Sequence, residues 1–120
     1  CSDLTRTFYI GRPTAHEKAM YEDLRAIQEQ AIRMLTTHPI DEIDAFTRKT
    51  NYPHSLGHGI GLDIHESPFL RKGQKIRPGM TLAIEPGYYT KKCGIRIEDD
   101  VHIKTKPEIL TKSPKKLIIL

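Results

Sequence analysis

Three histidines and three glycines fall within the stretch His54–Glu66, HSLGHGIGLDIHE. Two later stretches, LAIEPGYY (Leu82–Tyr89) and GIRIEDD (Gly94–Asp100), each deliver a carboxylate out of an apolar run. A histidine with well-spaced carboxylates on strand-like segments is the donor set of a divalent-metal hydrolase. His58 has Gly57 and Gly59 on either side, which lets backbone and bulky groups approach it. Glu85 ends an apolar run just before Pro86-Gly87, where a carboxylate is costly to bury unless it is paired or bound to a cation. Glu98 follows Ile97, and alternation puts Arg96 on its face. Asp3 adds a further oxygen donor at the start of a strand-like run. Oxygen donors with one imidazole favour Mn²⁺, Co²⁺, Fe²⁺ or Zn²⁺ over a thiolate-type structural zinc. Two such ions sharing carboxylates would acidify a water between them and clamp a substrate carbonyl. His54 and His65, where they are not ligands, are proton or hydrogen-bond donors toward a substrate.

Helices and strands must position these groups. Leu4–Ile10 is rich in β-branched and aromatic residues and reads as a strand, ended by Gly11-Arg12-Pro13. Thr14 with Glu17 forms a capping-box pair, and a helix is expected from there to about Thr36, its buried stripe made by Ala19, Met20, Leu24, Ile27, Ala31 and Leu35. His38-Pro39 breaks it, and Ile40–Lys49 reads as a shorter helix with Ile40, Ile43 and Phe46 inward. From His54 the glycines exclude a regular helix, and alternation puts His54, Leu56, His58 and Ile60 on one side of an extended segment. Met80–Glu85 and Ile95–Ile103 read as strands. In the second, Arg96, Glu98 and Asp100 share one face while Ile95, Ile97, Asp99 and Val101 share the other. Leu117–Leu120 reads as a last short strand or ordered tail.

A chain of 120 residues with 38% hydrophobic content can build one modest core. Its net charge of +4 comes with a lysine-rich tail (Lys104, Lys106, Lys112, Lys115, Lys116) that lacks the clustered arginines and aromatics of a nucleic-acid surface. Cys1 and Cys93 form neither a disulfide framework nor a metal knuckle, and reduced thiols in a cytoplasmic protein are the expectation. No run is long and apolar enough for a membrane helix, and no secretory leader is recognisable, so no membrane partner is expected. The start at Cys1, directly in a strand-like pattern, looks like part of something longer.

SDLTRTF, HSLGHGIGLDIHESP, PGMTLAIEPGYY and GIRIEDD together resemble the pita-bread metallopeptidases, the superfamily of methionine aminopeptidase, aminopeptidase P and prolidase. The match runs through nearly the whole chain, and the LDIHE and RIEDD forms are similar to the proline-specific branch. The resemblance implies an α+β fold, with helices packed on a curved antiparallel sheet. It implies hydrolysis of peptide bonds preceding proline, as an Xaa-Pro aminopeptidase or dipeptidase, and a homodimer when full length. It implies two divalent ions in the complete enzyme, Mn²⁺ or Co²⁺ first, with Zn²⁺ or Fe²⁺ also accommodated. On this numbering, Asp3 and Glu98 match carboxylates bridging the ions, and His58 and Glu85 match terminal ligands of one of them. Glu85 also matches the proton shuttle. His65 matches the histidine that contacts the scissile peptide, His54 a substrate-binding histidine, and Arg96 an arginine supporting Glu98 or touching substrate.

The departure is at the front. The family carries another aspartate ligand on the strand preceding the one that matches Asp3, and residues 1–120 then correspond to the C-terminal portion of the catalytic domain. The expectation is that these residues alone hold one ion tightly, through Asp3, His58, Glu85 and Glu98, and that hydrolysis by them alone is impaired. Two other readings fit the same scaffold: an inactive interaction or chaperone module, and a creatinase-like hydrolase that cleaves a C–N bond without metal. The intact carboxylates count against both.

Overall fold

The computed structural model describes residues 1–120. Strand β1 (Phe8–Tyr9) leads into helix α1 (Ala15–Met34) and then α2 (Ile40–Thr47), which tightens into a 3-10 turn at Arg48–Thr50. The remaining strands are β2 (Gly57–Gly59), β3 (Glu66–Phe69), β4 (Thr81–Ile84), β5 (Gly87–Tyr89), β6 (Gly94–Arg96), β7 (Asp99–Ile103), β8 (Pro107–Ile109) and β9 (Ile118–Ile119). The main sheet is antiparallel in the order β3-β2-β4-β7-β8, flanked by the β5-β6 hairpin and by β1 paired parallel to β9. No helix is long and apolar enough to cross a membrane.

The expected capping box opens α1: Thr14 Oγ1 accepts from Glu17 N, and the Glu17 carboxylate accepts from Thr14 N. The buried face of α1 is rotated slightly from the expected stripe. Ala19 is exposed and Ile27 half-buried, while Tyr21, Gln28 and Ile32 are buried. The reason is polar. Tyr21 Oη donates to the Lys115 carbonyl and Gln28 Nε2 to the Asp99 carboxylate, so both side chains sit inside with their polar ends satisfied.

Two clusters make the core. One joins the second half of α1 and α2 to Leu56, Leu70, Leu82, Ile84, Val101 and Ile103. A smaller one packs Met20, Tyr21 and Leu24 on Ile95 and Ile97. The strand expected over Leu4–Ile10 is reduced to Phe8–Tyr9 and an isolated bridge from Thr5 to Glu98. The strand expected over Ile95–Ile103 is broken between Arg96 and Asp99, its halves joining different sheets. Alternation survives the break: Ile95, Ile97, Asp99 and Val101 are all buried toward the helices.

Asp99 is the polar centre of that packing and is 0% exposed. It accepts from Arg6 Nη2 at 2.6 Å, Gln28 Nε2 at 2.8 Å and Lys115 Nζ at 2.9 Å. Burial alone raises its pKa, but the hydrogen bonds from Lys115, Gln28 and Arg6 together outweigh burial and hold it below the usual carboxylate range. Replacing Asp99 with Ala leaves the guanidinium and the ammonium without their counter-charge, and unfolding in urea should show a loss of about 3–5 kcal/mol. A lowered folded-state pKa means that this contribution is present above the unfolded carboxylate's pKa and is lost as pH falls through the folded value. The difference between wild type and Asp99→Ala should therefore be full at neutral pH and shrink in acid.

Candidate metal centre

The register of the main sheet assembles the centre. His58 on β2 lies opposite Ala83 on β4, and Ala83 lies opposite Asp100 on β7. Residues in one cross-strand row share a face, as do residues two apart along a strand. His58, Ala83 and Asp100 therefore share the face away from the helices, and Glu85 and Glu98 extend it. The next row, Gly57, Ile84 and Asp99, faces the core. Glycine is required on both sides of His58. A Cβ at Gly57 would stand 1.9 Å from the Ala83 carbonyl oxygen, and one at Gly59 2.5 Å from that of Ser67. The segment before β1 crosses this face: Asp3 N donates to both carboxylate oxygens of Asp100 at 3.2 Å, and Glu98 N donates to the Thr5 carbonyl at 3.1 Å.

Two overlapping donor groups result, each with its atoms within 4.8 Å of one another: Asp3, His58 and His65, and His58, Glu85 and Glu98. His58 belongs to both and is 3% exposed. Its Nδ1 lies 3.0 Å from the Gly59 carbonyl oxygen, which can only accept, so Nδ1 carries the hydrogen and in the neutral ring Nε2 presents its lone pair. That Nε2 is buried without a hydrogen-bond partner. It stands 3.6 Å from Asp3 Oδ2 and 3.6 Å from Glu85 Oε1, too far for hydrogen bonds. Each of these separations taken singly suits two atoms about 2.1 Å from one ion, but Asp3 closes on His58 only together with His65, and Glu85 only together with Glu98. A buried, unpaired imidazole lone pair facing carboxylates is the observation that fits these residues to a divalent cation.

The electrostatics agree. Burial, followed by the nearby Glu85 and Asp3 carboxylates, raises the Glu98 pKa despite a hydrogen bond from Thr5. Burial, with Asp3 and Asp99, raises that of Asp100. Like charges gathered in a half-buried site oppose one another's ionisation, and a cation removes that opposition.

The structure thus brings together Asp3, His58, Glu85, Glu98 and His65. His65 lies at the mouth, 60% exposed, its Nε2 3.5 Å from Asp3 Oδ2 and its ring edge-on to His58 at 4.4 Å. His54 stands apart from both donor groups. Its Nδ1 must donate to the Ser55 carbonyl at 2.8 Å, so in the neutral ring Nε2 accepts, and Tyr89 Oη donates to it at 3.0 Å. Arg96 Nε donates to Thr5 Oγ1 rather than to Glu98, whose Oε2 is 4.0 Å away. Sequence reasoning passed over Thr5, Tyr89 and the tie of Asp100 to Asp3. Thr5 stands two residues after Asp3, so alternation alone could have placed it on the same side.

A model of metallopeptidase family M24 matches residues 1–105. The Xaa-Pro dipeptidase of Pyrococcus horikoshii is 36% identical, the match covering 98% of this chain and 37% of that protein. The crystal structure of a recombinant prolidase from Thermococcus sibiricus superimposes with a TM-score of 0.90 at 37% identity, over 100% of this chain and 36% of that one. An X-Pro aminopeptidase from Thermotoga maritima gives a TM-score of 0.87 at 33% identity, over 100% and 38%. The architecture is that of the pita-bread fold. The chain spans 37–38% of the length of the first curated relatives that it matches.

After chelation of metal, Glu98→Gln should raise the melting temperature at pH 7, because the amide removes a buried charge that its neighbours oppose. A raised folded-state pKa means wild-type stability is regained as pH falls through that value. The gap between the two proteins should therefore narrow in acid, as read by thermal melts across pH.

Proposed function

The chain belongs to metallopeptidase family M24, and from that premise we propose that the protein carrying it hydrolyses the peptide bond preceding a proline in the second position, as an Xaa-Pro dipeptidase or aminopeptidase. The observation that carries the reading is the buried lone pair of His58 facing the carboxylates of Asp3, Glu85 and Glu98. The names of the relatives support the proline preference.

Asp3, His58, Glu85 and Glu98 would hold the divalent ions, and this donor set suits Mn²⁺, Co²⁺, Fe²⁺ or Zn²⁺. Such ions supply Lewis acidity, acidifying water and polarising a carbonyl. The chain's own residues do the rest. His65, exposed at the mouth, would donate from its ring to the carbonyl oxygen of the scissile bond as negative charge develops there. Water adds its oxygen to the carbonyl carbon, and Glu85 takes the released proton. Proline's nitrogen is a tertiary amide with no hydrogen, so it must gain a proton to leave as a secondary amine, and Glu85 returns one as the C–N bond breaks. Arg96 has Nε engaged with Thr5, and its terminal nitrogens can pair with a substrate carboxylate such as the free end of a dipeptide. His54 Nε2, an acceptor, suits a substrate N–H or ammonium that displaces the Tyr89 hydroxyl.

The test uses the whole protein. With Mn²⁺ or Co²⁺ it should release proline from Xaa-Pro dipeptides or the first residue from Xaa-Pro peptides. Chelation should abolish turnover and added metal restore it. His65→Ala should lower kcat by about 10²–10³-fold, the range for removing one donor to a developing oxyanion, with metal content unchanged. Metal-independent turnover, or no preference for proline in the second position, would sink the reading.

A further inference from the structure

The stretch Leu4–Thr7 alternates across the sheet in a way the proposed metal site does not use directly. Arg6 points into the core and pairs with Asp99. Thr5 and Thr7 lie to the other side, and both engage Arg96. Thr7 Oγ1 donates to the Arg96 carbonyl at 3.0 Å and accepts from Arg96 N at 3.1 Å, which fixes the arginine's backbone. Arg96 Nε then reaches Thr5 Oγ1 at 3.0 Å, and Thr5 Oγ1 lies 2.5 Å from Glu98 Oε2. A guanidinium nitrogen can only donate, and a threonine hydroxyl has one hydrogen. With its oxygen taken by Arg96, that hydrogen is directed at Glu98. Thr5 cannot drift from this position, because its backbone is bridged to Glu98 and its carbonyl accepts from Glu98 N. The result is a one-way relay, guanidinium to hydroxyl to carboxylate, running from the half-exposed Arg96 to the buried Glu98, where such chains of hydrogen bonds reinforce one another.

We propose that Thr5 is a positioning residue for the metal site: its hydroxyl, oriented by Arg96, holds Glu98 Oε2 and so fixes the rotation at which the carboxylate meets the cation. The inference rests on the metal-binding reading above. Arg96 acts on Glu98 through Thr5, and its charge reaches the site without the guanidinium occupying it. Ligating carboxylates whose own hydrogen bonds are removed typically lose metal affinity by about 10–100-fold.

Mn²⁺ binding by the whole protein, measured by titration calorimetry, decides it. Thr5→Val keeps the shape and removes the hydroxyl, and it should weaken Mn²⁺ affinity by about 10–100-fold. Thr5→Ser restores the hydroxyl and should restore wild-type affinity, a rescue that a purely structural role for the side chain does not require. Arg96→Gln should weaken binding in the wild type and weaken it less in Thr5→Val, because the part of its influence that passes through the hydroxyl is already gone. Wild-type affinity in Thr5→Val, a Thr5→Ser protein as weak as Thr5→Val, or additive losses in the double variant would each overturn the inference while leaving the metal site in place. A wild-type protein that binds no Mn²⁺ would remove the metal reading and this inference together.

Discussion

Burial of Asp99 between Arg6 and Lys115 is the interaction on which the rest of the molecule depends. Three consecutive acids, Glu98, Asp99 and Asp100, occupy one short stretch. In an extended chain their side chains must alternate. Pinning the middle one in the core, with Gln28 of α1 as its third donor, commits its neighbours to the opposite face. The same pin draws in the segment before β1 through Arg6 and the C-terminal tail through Lys115. Arg6 also donates to the carbonyls of Glu98, Ser113 and Pro114, so one side chain laces three parts of the chain together. Once Asp99 is inside, Asp3 and Thr5 have only one place to lie, over Asp100 and Glu98.

The opposite face is an electrostatic liability that a bound cation would relieve. Asp3, Glu85, Glu98 and Asp100 gather around an imidazole whose Nε2 has no hydrogen-bond partner. A site evolved for stability alone would pair or neutralise these groups. Here Asp99, one residue from Glu98, takes the direct contacts of Arg6 and Lys115 while Arg96 stays 4.0 Å from Glu98, and the Asp99 pKa is lowered while those of Glu98 and Asp100 are raised. Neighbouring carboxylates in opposite environments separate the group that stabilises the fold from those left free for a cation. The two fixed histidine tautomers extend the division. Gly59 turns a lone pair of His58 toward the carboxylates, and Ser55 turns one of His54 toward Tyr89.

Much of this was legible in the sequence because two periodicities carry it. The Thr14–Glu17 box marked the start of α1, and alternation through Ile95–Val101 separated Glu98 and Asp100 from Asp99 even though the strand itself is broken. Glycines around His58 signalled close backbone approach, which the Ala83 and Ser67 carbonyls now account for. What was not legible depends on long-range pairing. Gln28 and Tyr21 fall outside the expected apolar stripe, and their burial follows from partners far away in the chain. The strand at Leu4–Ile10 shrinks to Phe8–Tyr9, with Thr5 meeting Glu98 through an isolated bridge and Thr7 tied to Arg96 by its side chain. The donor directions at His54 and Thr5 depend on which carbonyl or guanidinium stands beside them, which composition and spacing do not encode.

The central claim, that this face is built to be completed by a cation, is tested most directly by anomalous diffraction from crystals of the whole protein grown with Mn²⁺. The account predicts an anomalous peak about 2.0–2.3 Å from His58 Nε2, the usual length of such a bond, with Glu85 and Glu98 also in contact with it. A fully occupied crystal with no peak at His58, its Nε2 instead hydrogen-bonded to water or protein, would contradict it.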